Sequence, residues 1–235
     1  MKYRVSESIL ALAAMTIAGL AVPASAEDES ASPAMSFSLT GATEYVWRGV
    51  EQSAGQPAIF GAVNASYGDF YFGAGVENVD FADINTEYDL WAGWTTGLGE
   101  NTVLDLGVVR YGYIDAPSGL DLDTVELKAG LSHTVGDVSL GATLMITDDF
   151  FATEESAQHI EISASKPIAE KWTLSGNFGH QMLEDDTGNY SHWNVGVSRA
   201  VSDNISLDLR YIDSDADYLG GAADERLVFS FSVAM

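Results

Sequence analysis

From Ser36 to the end of the chain, apolar and polar residues alternate, and this two-residue period constrains the fold more than any other feature. In the stretch 138–147, for example, Val138, Leu140 and Ile146 are separated by serine, glycine and threonine. Successive side chains of a β-strand point to opposite faces, so such a stretch forms a strand with one apolar and one polar face. No convincing helical period appears beyond the first 26 residues. The sequence therefore predicts an all-β protein.

Twelve such stretches can be counted, and short turns alternate with mostly longer loops between them. This is the layout of an outer-membrane barrel. Strands of about ten residues can cross a thin bilayer when they are tilted. We expect a transmembrane antiparallel up-and-down β-barrel of about 12 strands over residues 36–235, with both termini on the periplasmic side. The predicted strands are 36–50, 57–67, 70–78, 87–96, 102–113, 124–135, 138–147, 158–166, 171–180, 191–200, 205–212 and 225–235.

The same period would suit a soluble β-sandwich or a lipocalin-like barrel, because periodicity does not say whether an apolar face meets a core or lipid. Two features favour lipid. The polar faces carry mainly small hydrophilic residues, whereas a lipocalin turns an apolar face inward around its ligand. Aromatic residues also lie near the ends of the predicted strands, as in the interfacial girdles of membrane barrels.

The first 26 residues have the features of a secretory signal peptide. A basic start precedes an apolar run, Ile9–Val22, and small residues at 24–26 form a cleavage site. The run is short for a membrane anchor, which needs about 20 residues. We expect cleavage after Ala26, a short flexible segment over 27–35, and export by a bacterium to the periplasm, the outer membrane or the medium; the barrel layout favours the outer membrane.

The predicted last strand carries an apolar residue at every second position from Leu227 to Met235. Outer-membrane proteins typically end in such a strand, usually with a terminal Phe, and the barrel-assembly machinery reads it. Met235 departs from that residue. We expect the assembly machinery, outer-membrane lipid and lipopolysaccharide to be partners of the chain.

The composition excludes several classes of protein. The chain has no Cys, so disulfides, zinc–thiolate sites and a cysteine nucleophile are excluded. Its 10 Lys and Arg against 35 Asp and Glu give a net charge of −25, which argues against nucleic-acid binding. The nearest hydrolase candidate is Ser191-His192, but no spacing indicates a base, an orienting group and an oxyanion hole that converge. We predict no enzyme activity, no cofactor and no metal.

A family resemblance begins at the first predicted hairpin. A Tyr–x–x–Arg–Gly–x–x–Gln–Ser motif is followed by a Pro-Ala pair and, after the third strand, by Asn-Val-Asp-Phe. The chain resembles the TorF family of predicted porins, also known as a bacterial domain of unknown function, over about residues 42–113. The resemblance implies a Gram-negative outer-membrane barrel of the porin type, and it implies no substrate or catalytic residue. The matching residues are Tyr45, Arg48, Gly49, Gln52, Ser53, Pro57, Ala58, Asn78, Val79, Asp80 and Phe81.

The polar faces of the strands predict which charged residues point into the lumen. Acids outnumber bases among them, so we expect a negative interior. The alternative is that these residues form ion pairs that tie facing strands together, as in small barrels that transport little. The predicted pore-lining residues are Glu44, Arg48, Glu77, Glu87, Asp89, Asp105, Glu126, Lys128, Glu161, Asp208, Arg210 and Arg226.

Two arginines have ambiguous positions. Arg48 is expected at the rim of the first loop, where it bonds loop carbonyls or pairs with Asp80; alternatively it contacts a passing anion. In the alternation of its strand, Arg110 falls at a position of the set that faces outward. Either it extends into the outer interface, or a β-bulge turns Tyr111 and Tyr113 towards lipid. We favour the bulge.

The six longer connections, 51–56, 79–86, 114–123, 148–157, 181–190 and 213–224, carry acids and neither Lys nor Arg. None is long enough to fold inward as a constriction, so we expect side chains alone to set the bore. The acids indicate a solvated face, a vestibule that attracts cations, or divalent-ion bridging to lipopolysaccharide phosphates. The spacing 213–215–217 is that of a calcium loop, but Tyr218 stands where Gly is required. The main predicted loop acids are Asp148, Asp149, Glu184, Asp185, Asp186, Asp213, Asp215 and Asp217.

These observations predict a porin-like outer-membrane channel for passive diffusion of small solutes or ions, with a preference for cations. The alternative is a structural or surface-interaction barrel with a closed lumen, whose acidic loops bind cations. A membrane-embedded hydrolase is a third hypothesis, which no motif supports. A continuous water path or a side-chain plug in the lumen distinguishes the first two.

Overall fold

The computed structural model describes residues 33–151, 153, 155–184 and 188–235. The expected signal peptide, residues 27–32 and the loop acids Glu154, Asp185 and Asp186 lie outside the described residues. The first strand begins at Ala34, within the segment that we expected to be flexible. Among the described residues, no helix has the length and apolar character needed to cross a membrane.

The described residues form twelve antiparallel strands that close into one barrel, as the sequence predicts. Neighbours in the barrel follow chain order, and the first strand pairs with the last. A small hairpin, β2 (Val46–Trp47) with β3 (Val50–Glu51), is separate from the barrel sheet. The barrel strands are β1 (Ala34–Ala42), β4 (Ala58–Tyr67), β5 (Phe70–Phe81), β6 (Ile84–Gly97), β7 (Thr102–Tyr113), β8 (Thr124–Val135), β9 (Val138–Thr147), β10 (Ala157–Ala169), β11 (Trp172–Leu183), β12 (Tyr190–Ala200), β13 (Ile205–Ser214) and β14 (Arg226–Ala234).

Most predicted strand bounds agree with the structure to within a few residues. The predicted long loop 79–86 is wrong, because β5 continues to Phe81 and β6 begins at Ile84. The two residues between them, Ala82 and Asp83, both have positive φ, at 50° and 64°. A two-residue turn with this backbone matches the twist of the strands that it joins.

The outer surface of the barrel is a band of apolar side chains. Leu39, Phe72, Leu127 and Ile162, on four different strands, are 52–59% exposed. A soluble monomer rarely exposes a contiguous apolar patch larger than a few hundred Å². This surface therefore has the character of a lipid-facing band, as in outer-membrane barrels.

Strand β7 keeps its register with both neighbours through Arg110, so the predicted β-bulge is wrong. Tyr111 is 2% exposed and faces the lumen, where its hydroxyl donates to Glu126. Arg110 faces outward, donates to the Tyr88 hydroxyl and pairs with Asp123. The interfacial placement, which was the other alternative, is the one observed.

The inward-facing side chains become more exposed from one end of the barrel to the other. We call the end with the longer loops the extracellular end, and the end with the short turns and both described termini the periplasmic end. Along β10, Ala157 and His159 near the extracellular end are buried, whereas Glu161, Ser163 and Ser165 are half-buried. The lumen is therefore filled at its extracellular end and more open towards the periplasm.

Candidate functional site

The segment 43–57, which we call the mouth hairpin, folds into the extracellular end of the barrel. Its strands β2 and β3 are joined by Arg48 and Gly49, both with positive φ (47° and 78°). A Cβ on Gly49 would lie 2.6 Å from the Cβ of His192, so the tip fits the barrel wall only without a side chain at this position. The expectation that no loop folds inward is therefore wrong, as is the predicted continuation of the first strand to residue 50.

Arg48 holds the mouth hairpin across the lumen. Its guanidinium donates two hydrogen bonds to the Glu126 carboxylate, at 2.9 and 2.6 Å, and one to Gln181 at 2.9 Å. The predicted contact of Arg48 with Asp80 or with loop carbonyls is wrong. Burial is the largest single influence and lowers the pKa of Arg48, but the charge of Glu126, the hydrogen bonds to it and the nearby Tyr111 together outweigh burial, so the pKa is raised. Arg48 therefore stays charged while it is buried.

Aromatic residues close the space around the hairpin. Trp47 lies against Tyr111, Phe150 and Phe151, with ring centroids 5.8, 6.3 and 5.4 Å away. Phe150 and Phe151 belong to the connection between β9 and β10, so a second extracellular loop covers the first. Such edge-to-face and stacked contacts stabilise by about 0.5–1.5 kcal/mol each beyond the area that they bury.

Three buried carboxyl groups, which we call the acid triad, lie beside the hairpin. Glu77 on β5 and Glu87 and Asp89 on β6 are 6%, 3% and 1% exposed, and each offers an oxygen within 4.8 Å of the others. Tyr113 donates to Glu87 at 3.1 Å. One oxygen of Glu77 and one of Asp89 have no hydrogen-bond partner.

Tyr45 of the mouth hairpin packs beside the acid triad. Burial raises the pKa of Tyr45 well above its usual value, and the charges of Glu87, Glu77 and Asp89 raise it further. Its phenol is therefore held neutral in the closed mouth.

The bases that we predicted to line the lumen all form ion pairs with predicted acids. Glu77, Glu87, Asp89 and Glu161 form no salt bridge within the described residues, so acids remain in excess. Ion pairs of the kind that the alternative expects are thus present, and the predicted negative interior stays a prediction. The ion pairs are Arg48–Glu126 (2.6 Å), Lys128–Asp105 (2.6 Å), Arg210–Asp208 (3.0 Å) and Arg226–Glu44 (2.6 Å). Whether any of these residues contacts a solute stays a prediction.

Below the hairpin lies a small cavity, and Arg48, His192 and Asn194 contribute to its wall. Arg210 also lines it and donates to Asn194 and to Ser175. A solute in this part of the lumen would meet amides, hydroxyl groups and a paired guanidinium. Such a lining can hydrogen-bond water.

The described loop acids lie at the extracellular rim, in several different settings. Asp148 and Asp149 follow β9, and Asp213 is still part of β13. Asp215 accepts a hydrogen bond from the backbone of Ser191, and Glu184 accepts one from Ser156. Asp217 begins a short 3₁₀ helix, Asp217–Ala223. A shared role for these acids stays a prediction.

Sequence reasoning missed three polar residues of the lumen. Gln181 is 0% exposed and accepts from Arg48, and His159 and His192 lie together below the hairpin. With Glu161, the two histidines form a cluster that could hold a metal ion, and the acid triad is another such cluster. The alternation places His159 on the same face as Glu161, which we predicted to line the pore. The sequence therefore indicated that His159 faces the lumen.

Comparison with solved structures finds the same fold in outer-membrane channels. The KdgM porin matches with a TM-score of 0.61 and 8% identity, over 85% of this chain and 97% of that chain. The NanC porin matches with a TM-score of 0.57 and 9% identity, over 84% and 97%. The outer-membrane channel COG4313 from Pseudomonas putida F1 matches with a TM-score of 0.52 and 13% identity, over 91% and 97%.

These likenesses describe the fold alone, because the identities are low. The comparison with curated proteins gives no significant match. The resemblance to the TorF family in particular stays a prediction. A family model described as a bacterial protein of unknown function (Gcw_chp) matches residues 26–231, and the chain therefore belongs to this family.

Proposed function

We propose that this protein is an outer-membrane channel with a narrow lumen, which passes small cations by passive diffusion. The observation that carries the proposal is the excess of unpaired acid residues among the inward-facing side chains. Within the part of the chain that the structure describes, four of the predicted pore-lining acids have no salt bridge, whereas each predicted pore-lining base is paired. The apolar outer band supports a location in the outer membrane. Lipopolysaccharide, and the assembly machinery acting on the last strand, are the partners that we propose.

An excess of acids in confined water favours cations over anions, and it is screened less by salt than exposed charge is. One structure similar in fold is the KdgM porin in complex with disordered oligogalacturonate (TM-score 0.60, 7% identity, 85% of this chain and 97% of that chain). Oligogalacturonate is a polyanion. The acid excess of the present lumen argues against a polyanionic solute for this chain.

Reversal potentials in planar bilayers with a salt gradient test the proposal. We expect cation preference that is strongest at low salt and persists in part at high salt. Replacing the acid triad by Glu77→Gln, Glu87→Gln and Asp89→Asn should remove much of the persistent part. These residues are chosen because no described Lys or Arg forms a salt bridge with them, so their neutralisation leaves no described base without its partner.

A matched control neutralises three exposed acids by Asp213→Asn, Asp215→Asn and Asp217→Asn. Exposed charges act over about 10 Å at 0.1 M salt. This control should therefore reduce cation preference only at low salt. Anion preference in the unmodified barrel would contradict the proposal.

A second candidate function is a structural barrel with a closed lumen. The mouth hairpin favours it, because Arg48 and the aromatic contacts of Trp47 fill the extracellular end. Liposome swelling with neutral solutes of graded size distinguishes the two functions. Swelling with the smallest solutes supports the channel. No swelling, even without the mouth hairpin, supports the closed barrel.

A further inference from the structure

Two imidazoles and a carboxylate converge on the lumen wall just below the mouth hairpin. His159 and Glu161 lie on β10, and His192 lies on β12. Between them, β11 contributes Gly179, which pairs with Glu161 on one side and with His192 on the other. The two Nε2 atoms are 2.8 Å apart, and each of the three residues offers a ligand atom within 4.8 Å of the others.

Gly179 provides the space into which these ligand atoms point. A Cβ at this position would lie 2.2 Å from Nε2 of His192 and 2.7 Å from Nε2 of His159. Any other residue would therefore occupy the place between the donors. The two imidazoles are almost fully buried and their rings are within 11° of parallel, so packing holds the donors in place.

We propose that His159, Glu161 and His192 bind one divalent transition-metal ion of the Zn²⁺ class. Two imidazole nitrogens and a carboxylate oxygen form a donor set that suits such ions, whereas Ca²⁺ and Mg²⁺ prefer sites made of oxygen alone. With Zn–N bonds of about 2.1 Å, a tetrahedral site places the two nitrogens about 3.4 Å apart. Three protein ligands leave a fourth position open to water or to a solute.

The charges around the cluster are compatible with a bound cation. Arg48 lines the same cavity as His192, but its charge is compensated by its two hydrogen bonds to Glu126. Glu161 forms no salt bridge within the described part of the chain, so its carboxylate is free to balance the charge of a bound ion. Asn177 and His192 both line the small cavity below the mouth hairpin, so the cluster borders on free space in the lumen.

Metal binding does not require conduction, so this inference goes beyond the proposed channel and can fail independently of it. The test is isothermal titration calorimetry of the refolded, chelator-treated barrel in detergent, with ZnCl₂ as the titrant at near-neutral pH. We expect one Zn²⁺ per chain. His159→Gln and His192→Gln should each weaken binding more than about tenfold, because even changes outside the ligand shell cost 10–100-fold.

The matched controls are His133→Gln and His180→Gln, which remove an imidazole from outside the cluster and should leave binding unchanged. Gly179→Ala keeps all three ligands but fills the space between them, and it should also weaken binding. Heat-modifiable migration on a gel shows that each variant is folded.

Two results would overturn the proposal. The first is absence of Zn²⁺ binding, or binding that stays at full strength in both ligand variants. The second is loss of binding only when the loop acids Asp213, Asp215 and Asp217 are neutralised, which would assign the ion to the surface. X-ray absorption at the zinc edge should show imidazole ligands, and a shell of oxygen alone would contradict the site.

Discussion

The extracellular and periplasmic halves of the lumen are formed by the same twelve strands but are filled in different ways. In the extracellular half, the mouth hairpin enters the barrel and buries Val46 and Tyr111 at 2% exposure each. In the periplasmic half, short polar side chains such as Ser163 and Ser165 of β10 line the lumen and are half-buried. The barrel strands therefore form the wall of the lumen, whereas the mouth hairpin, which is not part of the barrel sheet, closes its extracellular end.

This division predicts that closure and folding are separable. The mouth hairpin contributes no strand to the barrel sheet, so its removal breaks no pairing between barrel strands. The closed mouth depends instead on a few contacts of Arg48, Trp47 and Tyr45.

The largest effect is expected from replacing residues 46–51 with two glycines. The barrel should still fold, because the apolar outer band and the strand pairings remain. Single-channel conductance should rise several-fold, since the extracellular half then resembles the periplasmic half. A matched control, Asp208→Asn with Arg210→Met, removes an ion pair from the periplasmic half and should change conductance little. Unchanged conductance after the hairpin replacement would show that the mouth hairpin does not close the extracellular half of the lumen.

An intermediate effect is expected from Arg48→Ala, which leaves Glu126 buried without its partner. Breaking a buried ion pair in this way costs about 3–5 kcal/mol. Here the cost should destabilise the closed state of the mouth relative to the open state. The open probability of single channels should therefore rise. The double variant Arg48→Ala, Glu126→Gln leaves no buried charge and should open less often than the single variant. Equal behaviour of both variants would show that the ion pair does not hold the mouth closed.

The smallest effect concerns alkaline pH. The pKa of Tyr45 is raised by burial and then by Glu87, so the closed mouth disfavours the ionised phenol. The neutral phenol of Tyr45 therefore stabilises the closed mouth. This stabilisation is fully present below about pH 10, the ordinary tyrosine pKa, and is lost as the pH rises further. Channel opening should increase above about pH 10, and Tyr45→Phe should abolish this step. Tyr67→Phe, at an exposed position, is the control and should retain it.

The sequence predicts the barrel well because successive side chains of a strand point to opposite faces. The alternation of apolar and polar residues therefore shows the strands without any knowledge of distant contacts. Strand β9 was predicted with the bounds that the structure shows. The mouth hairpin was missed because Val46 and Arg48 continue the alternation of β1, and a segment that leaves the sheet can keep its period. The Arg48–Gly49 turn was a weak signal, since a glycine after an arginine does not specify a hairpin.

The partners across the lumen could not be predicted for a related reason. Parity places Glu126 on the inner face, but it does not say which residue faces it from another strand. Arg48 and Glu126 are 78 positions apart in the chain. In the same way, parity places His159 and Glu161 together, whereas the approach of His192 depends on the missing side chain at Gly179.

Closure of the barrel depends on its shortest strand junction. β1 and β14 are paired at five positions, Ser38–Ala42 with Ala234–Ser230, whereas β10 and β11 pair along nearly their whole lengths. This seam joins the two ends of the described chain, as in the pair Ser38–Ala234, so closing it costs more loop entropy than any other junction of the barrel, while it pairs the fewest residues. Such a contact forms late in folding. Weakening the seam is therefore expected to accelerate unfolding while the folding rate stays nearly unchanged.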